Sequence, residues 1–291
     1  MFLTQLKNYQ EKINKALVFY LPREQSQVLQ AATYSLLAPG KRLRPILLLS
    51  FYQALAAKVP SREVTRVAVS LEYAHTFSLI HDDLPGIDND NLRRGQPTCH
   101  TKFDEATAIL AGDYLYGYAL ENLSKVKLSP ELKVNLINDL AAGMRGVING
   151  EMLDILGEGQ NYDQKMLQQT FALKTASLFQ TAFIMASRLA NDDSPKTLHL
   201  ANSLGAYFGL AFQIQDDILG VIGQQDKLGK SVGLDAAADK STWVKLHGLP
   251  TAQIDCQHFY SLARQELKKL PLSASREFLS ELFLFLQNRD S

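Results

Sequence analysis

Asp82, Asp83, Asp88 and Asp90 fall within one short stretch that opens on His81 and closes on Arg93 and Arg94. Carboxylates crowded where a helix stops repel one another and face the negative end of its dipole, so they are comfortable only with bound cations. Hard oxygen ligands with few imidazoles or thiolates among them select Mg²⁺ over zinc. A solvated acidic turn is the alternative for any isolated Asp pair. This pair instead follows apolar Ser78-Leu79-Ile80 and precedes an arginine pair, a grouping that suits a site. A second pair, Asp216-Asp217, stands in FQIQDDIL, where an uncompensated carboxylate is costly to bury. Two such clusters on separate helices can grip one polyanion through shared metal ions.

The cations cluster as well, in Gly40-Lys41-Arg42-Leu43-Arg44, Arg93-Arg94, Lys174-Thr175, Lys227-Leu228-Gly229-Lys230 and Lys240-Ser241-Thr242. Each alone reads as solvated surface charge. Together with metals, arginine forks and lysine point charges suit a diphosphate. Residues 223–231 miss a P-loop, because five residues rather than four separate the glycines and a helix rather than a strand precedes them. No HxxxH, HExxH or GxSxG pattern is present, which removes support for zinc and serine hydrolysis. His75 lies two helical turns before Asp82 on nearly the same face, placed either to reach a substrate or to serve the core.

Helices must position these groups. Phe2, Leu6, Tyr9, Ile13 and Leu17 form a stripe at helical spacing, and strand-like alternation is scarce. The clearest helix starts after Pro60 with Ser61 as its cap and runs towards Asp83, with Pro85-Gly86 to end it. Further helices are predicted near residues 104–126, 130–156, 163–190, 195–222, 255–268 and 273–288. Several are apolar on more than one side, so some are central and wrapped by others. The expected fold class is all-α, one domain over residues 1–291, because no linker, repeat or low-complexity tract divides the chain.

Thirty Lys and Arg balance thirty Asp and Glu, so no long-range field favours nucleic acid or an anionic membrane. Cys99 and Cys256 are the two cysteines, which suits a reducing, cytoplasmic setting. Neither a signal peptide nor a membrane span is expected.

The stretch HDDLPGIDNDNLRRGQPTCH resembles the first Asp-rich motif of trans-prenyl diphosphate synthases, of the bacterial farnesyl diphosphate synthase kind, and FQIQDDIL resembles the second. GKRLRP, Lys174-Thr175, LGK and DKST match in order and spacing, so the resemblance covers nearly the whole chain. It implies an isoprenoid synthase helical bundle with a central apolar cavity, active as a homodimer. It makes Asp82, Asp83 and Asp88 ligands of Mg²⁺ on an allylic diphosphate, with Asp216 and Asp217 holding a third ion. Arg93, Lys174, Lys230 and Lys240 would bind that diphosphate, and Gly40, Lys41, Arg44, His75 and Arg94 the diphosphate of isopentenyl diphosphate. Thr175, Gln213 and Asp154 match positions that line or order the site. Metals and cations would stabilise charge on the departing diphosphate, leaving an allylic cation for isopentenyl diphosphate to attack in a water-excluding cavity. Phe77, five residues before Asp82, matches the chain-length gate, and its bulk points to a short product, farnesyl diphosphate first.

Two departures from the family pattern bear on activity. Gly220 replaces a third Asp in the second motif, and Asn149-Gly150-Glu151 stands where Gly-Gly-Gln is common. Asn91 for Asp is milder. A non-catalytic partner of a heteromeric synthase and a terpene cyclase are the competing readings. The cyclase needs no second diphosphate site, and a structural subunit needs no intact first cluster.

Overall fold

The computed structural model describes residues 1–222 and 240–289. Helices α1 (Phe2–Tyr20), α2 (Gln27–Leu37), α3 (Leu43–Ala56) and α4 (Arg62–Asp82) are followed by a two-stranded hairpin, β1 (Leu92–Arg93) and β2 (Gln96–Pro97). Then come α5 (Cys99–Lys102), α6 (Glu105–Ser124), α7 (Pro130–Leu156) and α8 (Gln164–Phe171). A π-helical turn, Ala172–Ala176, leads into α9 (Ser177–Leu189) and α10 (Pro195–Ile222). Three helices complete the described chain: α11 (Trp243–His247), α12 (Leu249–Leu267) and α13 (Ala274–Gln287).

Side-chain oxygens start most of these helices by satisfying an otherwise orphaned backbone N–H. Ser61 accepts from Val64 N at 3.3 Å, Asp104 from Thr107 N at 2.7 Å and Ser129 from Leu132 N at 3.3 Å, the last with Pro130 in the first turn. The expected stripe of α1 holds: Leu6, Tyr9, Ile13 and Leu17 are buried, and half-buried Phe2 packs its ring 5.6 Å from that of Phe278 on α13. In α3 four successive residues, Ile46 to Leu49, are fully enclosed. Four residues sweep most of a helical turn, so α3 is wrapped on nearly all sides. One apolar core joins residues from Leu6 to Leu286.

Three local features depart from plain helices. The run predicted at 163–190 contains the π turn. The helix predicted from 255 begins earlier, at Leu249, where Gly248 with φ +78° breaks from α11 and Pro250 occupies the first turn. The hairpin was not expected at all; Arg94 and Gly95 both have positive φ, 55° and 74°, the two-residue turn that suits the twist of an antiparallel pair. Among the described residues, no helix is long and apolar enough to cross a membrane.

Candidate active site

A cavity of about 580 Å³ opens where α3, α4, α7, the π turn and α10 converge. Asp82, Asp88, Asp216 and Asp217 line it, with Lys41, Arg44, His75, Arg93, Arg94, Lys174, Thr175, Gln213 and Lys240. Leu79, Val147, Leu178, Phe212 and Leu219 supply its apolar wall. A groove of similar size along α2, lined by Ser26, Leu29, Gln30 and Tyr34, gathers no opposed acidic and basic clusters.

Helix α4 stops at Asp82, ahead of Pro85, and the chain makes a short excursion that returns Asp88 to its side. Asp88 N donates to Asp82 O at 2.8 Å, and Asn89, in the left-handed region, donates to Leu84 O at 3.0 Å. Asp82 and Asp88 thereby face one space. Enclosure, reinforced by repulsion from Glu151, pushes the Asp82 carboxyl well above its usual range. Among the described residues none donates a hydrogen bond to that carboxylate. All-oxygen ligands fit Mg²⁺, and Asp82, which accepts from no described donor, and Asp88, which is paired with Lys240, face the space where it would be held.

Asp83 is placed differently. It is buried outside the cavity lining, where Arg93 Nε donates to it at 2.9 Å, and Asp90 shares the same guanidinium at 3.3 Å. Burial pushes the Asp83 carboxyl up to about 6, and Arg93 acts in the opposite direction. Asp83 thus fixes Arg93 in its hairpin in this structure.

The second cluster is likewise split. Asp217 accepts from Trp243 N at 2.7 Å and from Gln213 Nε2 at 3.1 Å, a backbone and an amide donor. Thr175 Oγ1 donates to Gln213 Oε1 at 2.6 Å, extending this line from the π turn through α10 to α11. Asp216 is paired with Arg289, whose guanidinium also lies 4.0 Å over the Phe212 ring. Gly220 follows one turn later and adds no carboxylate.

Lys174 projects from the π turn, a one-residue irregularity that often marks function. Its Nζ lies 2.8 Å from Glu151 and 2.6 Å from Asp154. Burial by itself would lower its pKa, but Asp154 and Glu151 outweigh that and raise it, so the ammonium stays charged. Lys240 bridges Asp154 at 3.2 Å and Asp88. Lys230, like the rest of residues 223–239, lies outside the described residues.

Lys41, Arg44 and Arg94 line the same cavity. Gly40 leaves room for Arg94: a Cβ there would stand 2.8 Å from the Arg94 guanidinium carbon. Arg44 Nη1 donates to His75 Nε2 at 3.0 Å and the guanidinium sits 4.5 Å from the Phe179 ring centre. Desolvation followed by Arg44's charge holds His75 well below its ordinary pKa, so the imidazole is neutral and accepts. Desolvation, with Arg289 nearby, brings Lys41 down to about 8.

Phe77 does not line the cavity. It is buried between α4 and α6, edge-on to Tyr116 with ring centres 5.2 Å apart, while Ser78 lines the wall. Sequence reasoning missed Glu72, Arg42 and Arg289 as parts of the site. Arg42 is buried in the left-handed region and donates to Glu72 at 3.0 Å, Asn14 at 2.9 Å and Ala38 O at 2.9 Å, so that Lys41 and Arg44 project from a pinned loop. A charge run gives no hint of which member turns inward. The helical spacing of Glu72, three residues before His75, was the available signal for that residue.

The chain as a whole is similar to known proteins. The polyprenyl synthetase family model matches residues 25–270. Farnesyl diphosphate synthase of Haemophilus influenzae is 40% identical over 97% of this chain and 98% of its own, and that of Escherichia coli is 37% identical over 92% of each. The structure of a Helicobacter pylori geranyltransferase complexed with magnesium and isoprenyl diphosphate superposes with a TM-score of 0.84 at 32% identity, covering 97% of this chain and 96% of that one. On these grounds, joined to the two aspartate clusters around one cation-rimmed cavity, the chain belongs to the polyprenyl synthetase family.

Proposed function

We propose that the protein condenses isopentenyl diphosphate with dimethylallyl or geranyl diphosphate, giving farnesyl diphosphate as the principal product. It is a prenyltransferase of the farnesyl diphosphate synthase type. The observation that carries this reading is one cavity lined by two sets of cations, Lys174 and Lys240, which share Asp154, and Lys41, Arg44 and Arg94, together with Asp82, Asp88, Asp216 and apolar side chains. Two diphosphates need two such groups, whereas ionisation of a single substrate needs one. The intact first aspartate cluster with Lys41, Arg44, Arg94, Lys174 and Lys240 in one cavity favours an active enzyme over a structural partner subunit.

Three Mg²⁺ are proposed, bound through Asp82, Asp88 and Asp216, with Asp83 and Asp217 ordering the groups beside them. Bound Mg²⁺ supplies Lewis-acid stabilisation of the diphosphate leaving group. Lys174 and Lys240 meet the charge that grows on the departing allylic diphosphate. Lys41, Arg44 and Arg94 hold the second diphosphate, and neutral His75 orients Arg44. Leu79, Val147 and Leu178 exclude water from the allylic cation. The displaced diphosphate is the base placed to take the final proton.

A homodimer in the cytoplasm completes the proposal. The buried free thiols of Cys99 and Cys256 fit a reducing compartment, and exposed Ile109, Leu110, Ile148 and Met152 on α6 and α7 fit burial against a second copy. Incubating purified protein with isopentenyl diphosphate, each allylic diphosphate and Mg²⁺, followed by product sizing, tests the reaction. Absence of chain extension in every combination would sink it.

A further inference from the structure

Glu151 has no part in the reaction as described, yet it ends a line of five alternating charges. Glu151 on α7 meets Lys174, Lys174 meets Asp154, Asp154 meets Lys240, and Lys240 meets Asp88. Carboxylate oxygens of Glu151, Asp154 and Asp88 gather within 4.8 Å of one another, and the two ammoniums are the cations they hold. Four of these five residues line the cavity; Glu151 does not, and its side chain is 8% exposed behind Lys174.

The backbone brings Glu151 there. Its neighbour Gly150 touches the π turn so closely that an added Cβ would lie 2.1 Å from Lys174 N. The Lys174 stem is thus fixed at its root by the π turn and at its tip from behind. A lysine left to its own rotamers would have to be ordered each time a diphosphate arrived. We propose that Glu151 is a positioning residue for Lys174, holding the ammonium at the cavity wall so that it meets the allylic diphosphate already aimed. The inference rests on the reading of Lys174 as a diphosphate ligand. Asp154 cannot take over this task alone, because it is shared with Lys240.

The test is a double-mutant cycle on the full-length protein, reading the affinity for inorganic diphosphate in the presence of Mg²⁺ by calorimetry. Glu151→Leu is expected to weaken binding about tenfold, since it removes one partner of a buried charge pair. Glu151→Gln keeps an acceptor and should recover part of that loss. In a Lys174→Gln background the Glu151→Leu change should cost nothing further, because its effect passes through the lysine. Unchanged affinity in Glu151→Leu overturns the inference, and so does a loss of equal size in the Lys174→Gln background. If Glu151→Leu lacks the wild-type circular dichroism spectrum, Glu151→Gln takes its place in the cycle and the same two outcomes decide. Wild-type turnover, measured separately, reports on the condensation reaction: a coupled cycle without turnover would leave the Glu151–Lys174 relation standing and remove the proposed reaction.

Discussion

At the scale of single residues, the same charges serve as ligands or as supports for ligands according to what surrounds them. Gly40 shows how little is needed to tell them apart. An alanine there would press on Arg94, the end of a flexible side chain, so folding should change by under about 1 kcal/mol while Arg94 moves off its target. Gly40→Ala is expected to raise the KM for isopentenyl diphosphate about tenfold, with the allylic KM unchanged; steady-state kinetics with each substrate varied in turn checks this. Lys41 predicts a pH dependence. Its pKa of about 8 makes it lose charge as pH rises through that value, so kcat/KM for isopentenyl diphosphate should fall above pH 8. Lys41→Arg should carry the fall to higher pH. The folded protein also holds fewer protons than the unfolded chain between about 8 and the ordinary 10.5, so this group's contribution to stability grows as pH rises through that window. Residue types and spacing singled out the Asp82 cluster in the sequence, while the roles expected of Lys174 and Arg44 came from the family resemblance. The pairing of Asp83 with Arg93 and of Asp217 with Trp243 was not legible, because a short acidic run does not reveal which carboxylate turns inwards.

At the scale of elements, apolar periodicity and caps carried most of the fold: α4, α6, α7 and α10 lie within a residue or two of where they were expected. The hairpin and the π turn were hidden because each is a local departure imposed by packing. Nothing in Arg94-Gly95 distinguishes a tight turn from a loop, and ALKTA is ordinary helix sequence. Gly150 is where α7 meets the π turn. A methyl there faces backbone that cannot yield, and overpacking of this kind costs about 1–3 kcal/mol, more than the roughly 1 kcal/mol that alanine gains as a helix former. Gly150→Ala should therefore lower the unfolding midpoint and reduce kcat by at least about tenfold as Lys174 is displaced; denaturant unfolding and turnover measured on one preparation check both. On α10, Gly220 lies one turn after Asp216. Gly220→Asp should lower the Mg²⁺ concentration for half-activation about threefold, since a further carboxylate joins the same helix face, and a Mg²⁺ titration of initial rates reads this out. A rise instead would mean that the added charge faces elsewhere.

At the scale of the whole molecule, the bundle must hold a growing hydrocarbon and stop it at a set length. The cavity is lined by charged groups and by apolar Leu79, Val147 and Leu178. Phe77 stands outside that lining, edge-on to Tyr116 of α6 with ring centres 5.2 Å apart, so it joins α4 to α6. Helical periodicity directs Ser78 to the cavity side, and the structure agrees; the resemblance to known synthases was what singled out Phe77. Both hold if Phe77 acts as the floor of the bundle and not as part of its wall. Removing the ring then joins the space it occupied to the cavity. Phe77→Ala should cost about 3–5 kcal/mol of stability if the space stays empty. A longer prenyl chain entering that space would recover part of this cost, because apolar surface is again buried there. The expected outcome is a product distribution shifted from fifteen carbons to twenty or more, with the KM values for both diphosphates little changed because the charged lining is untouched. Chromatographic sizing of the dephosphorylated products decides it. An unchanged distribution from a folded Phe77→Ala protein would place the floor elsewhere on α6 or α7.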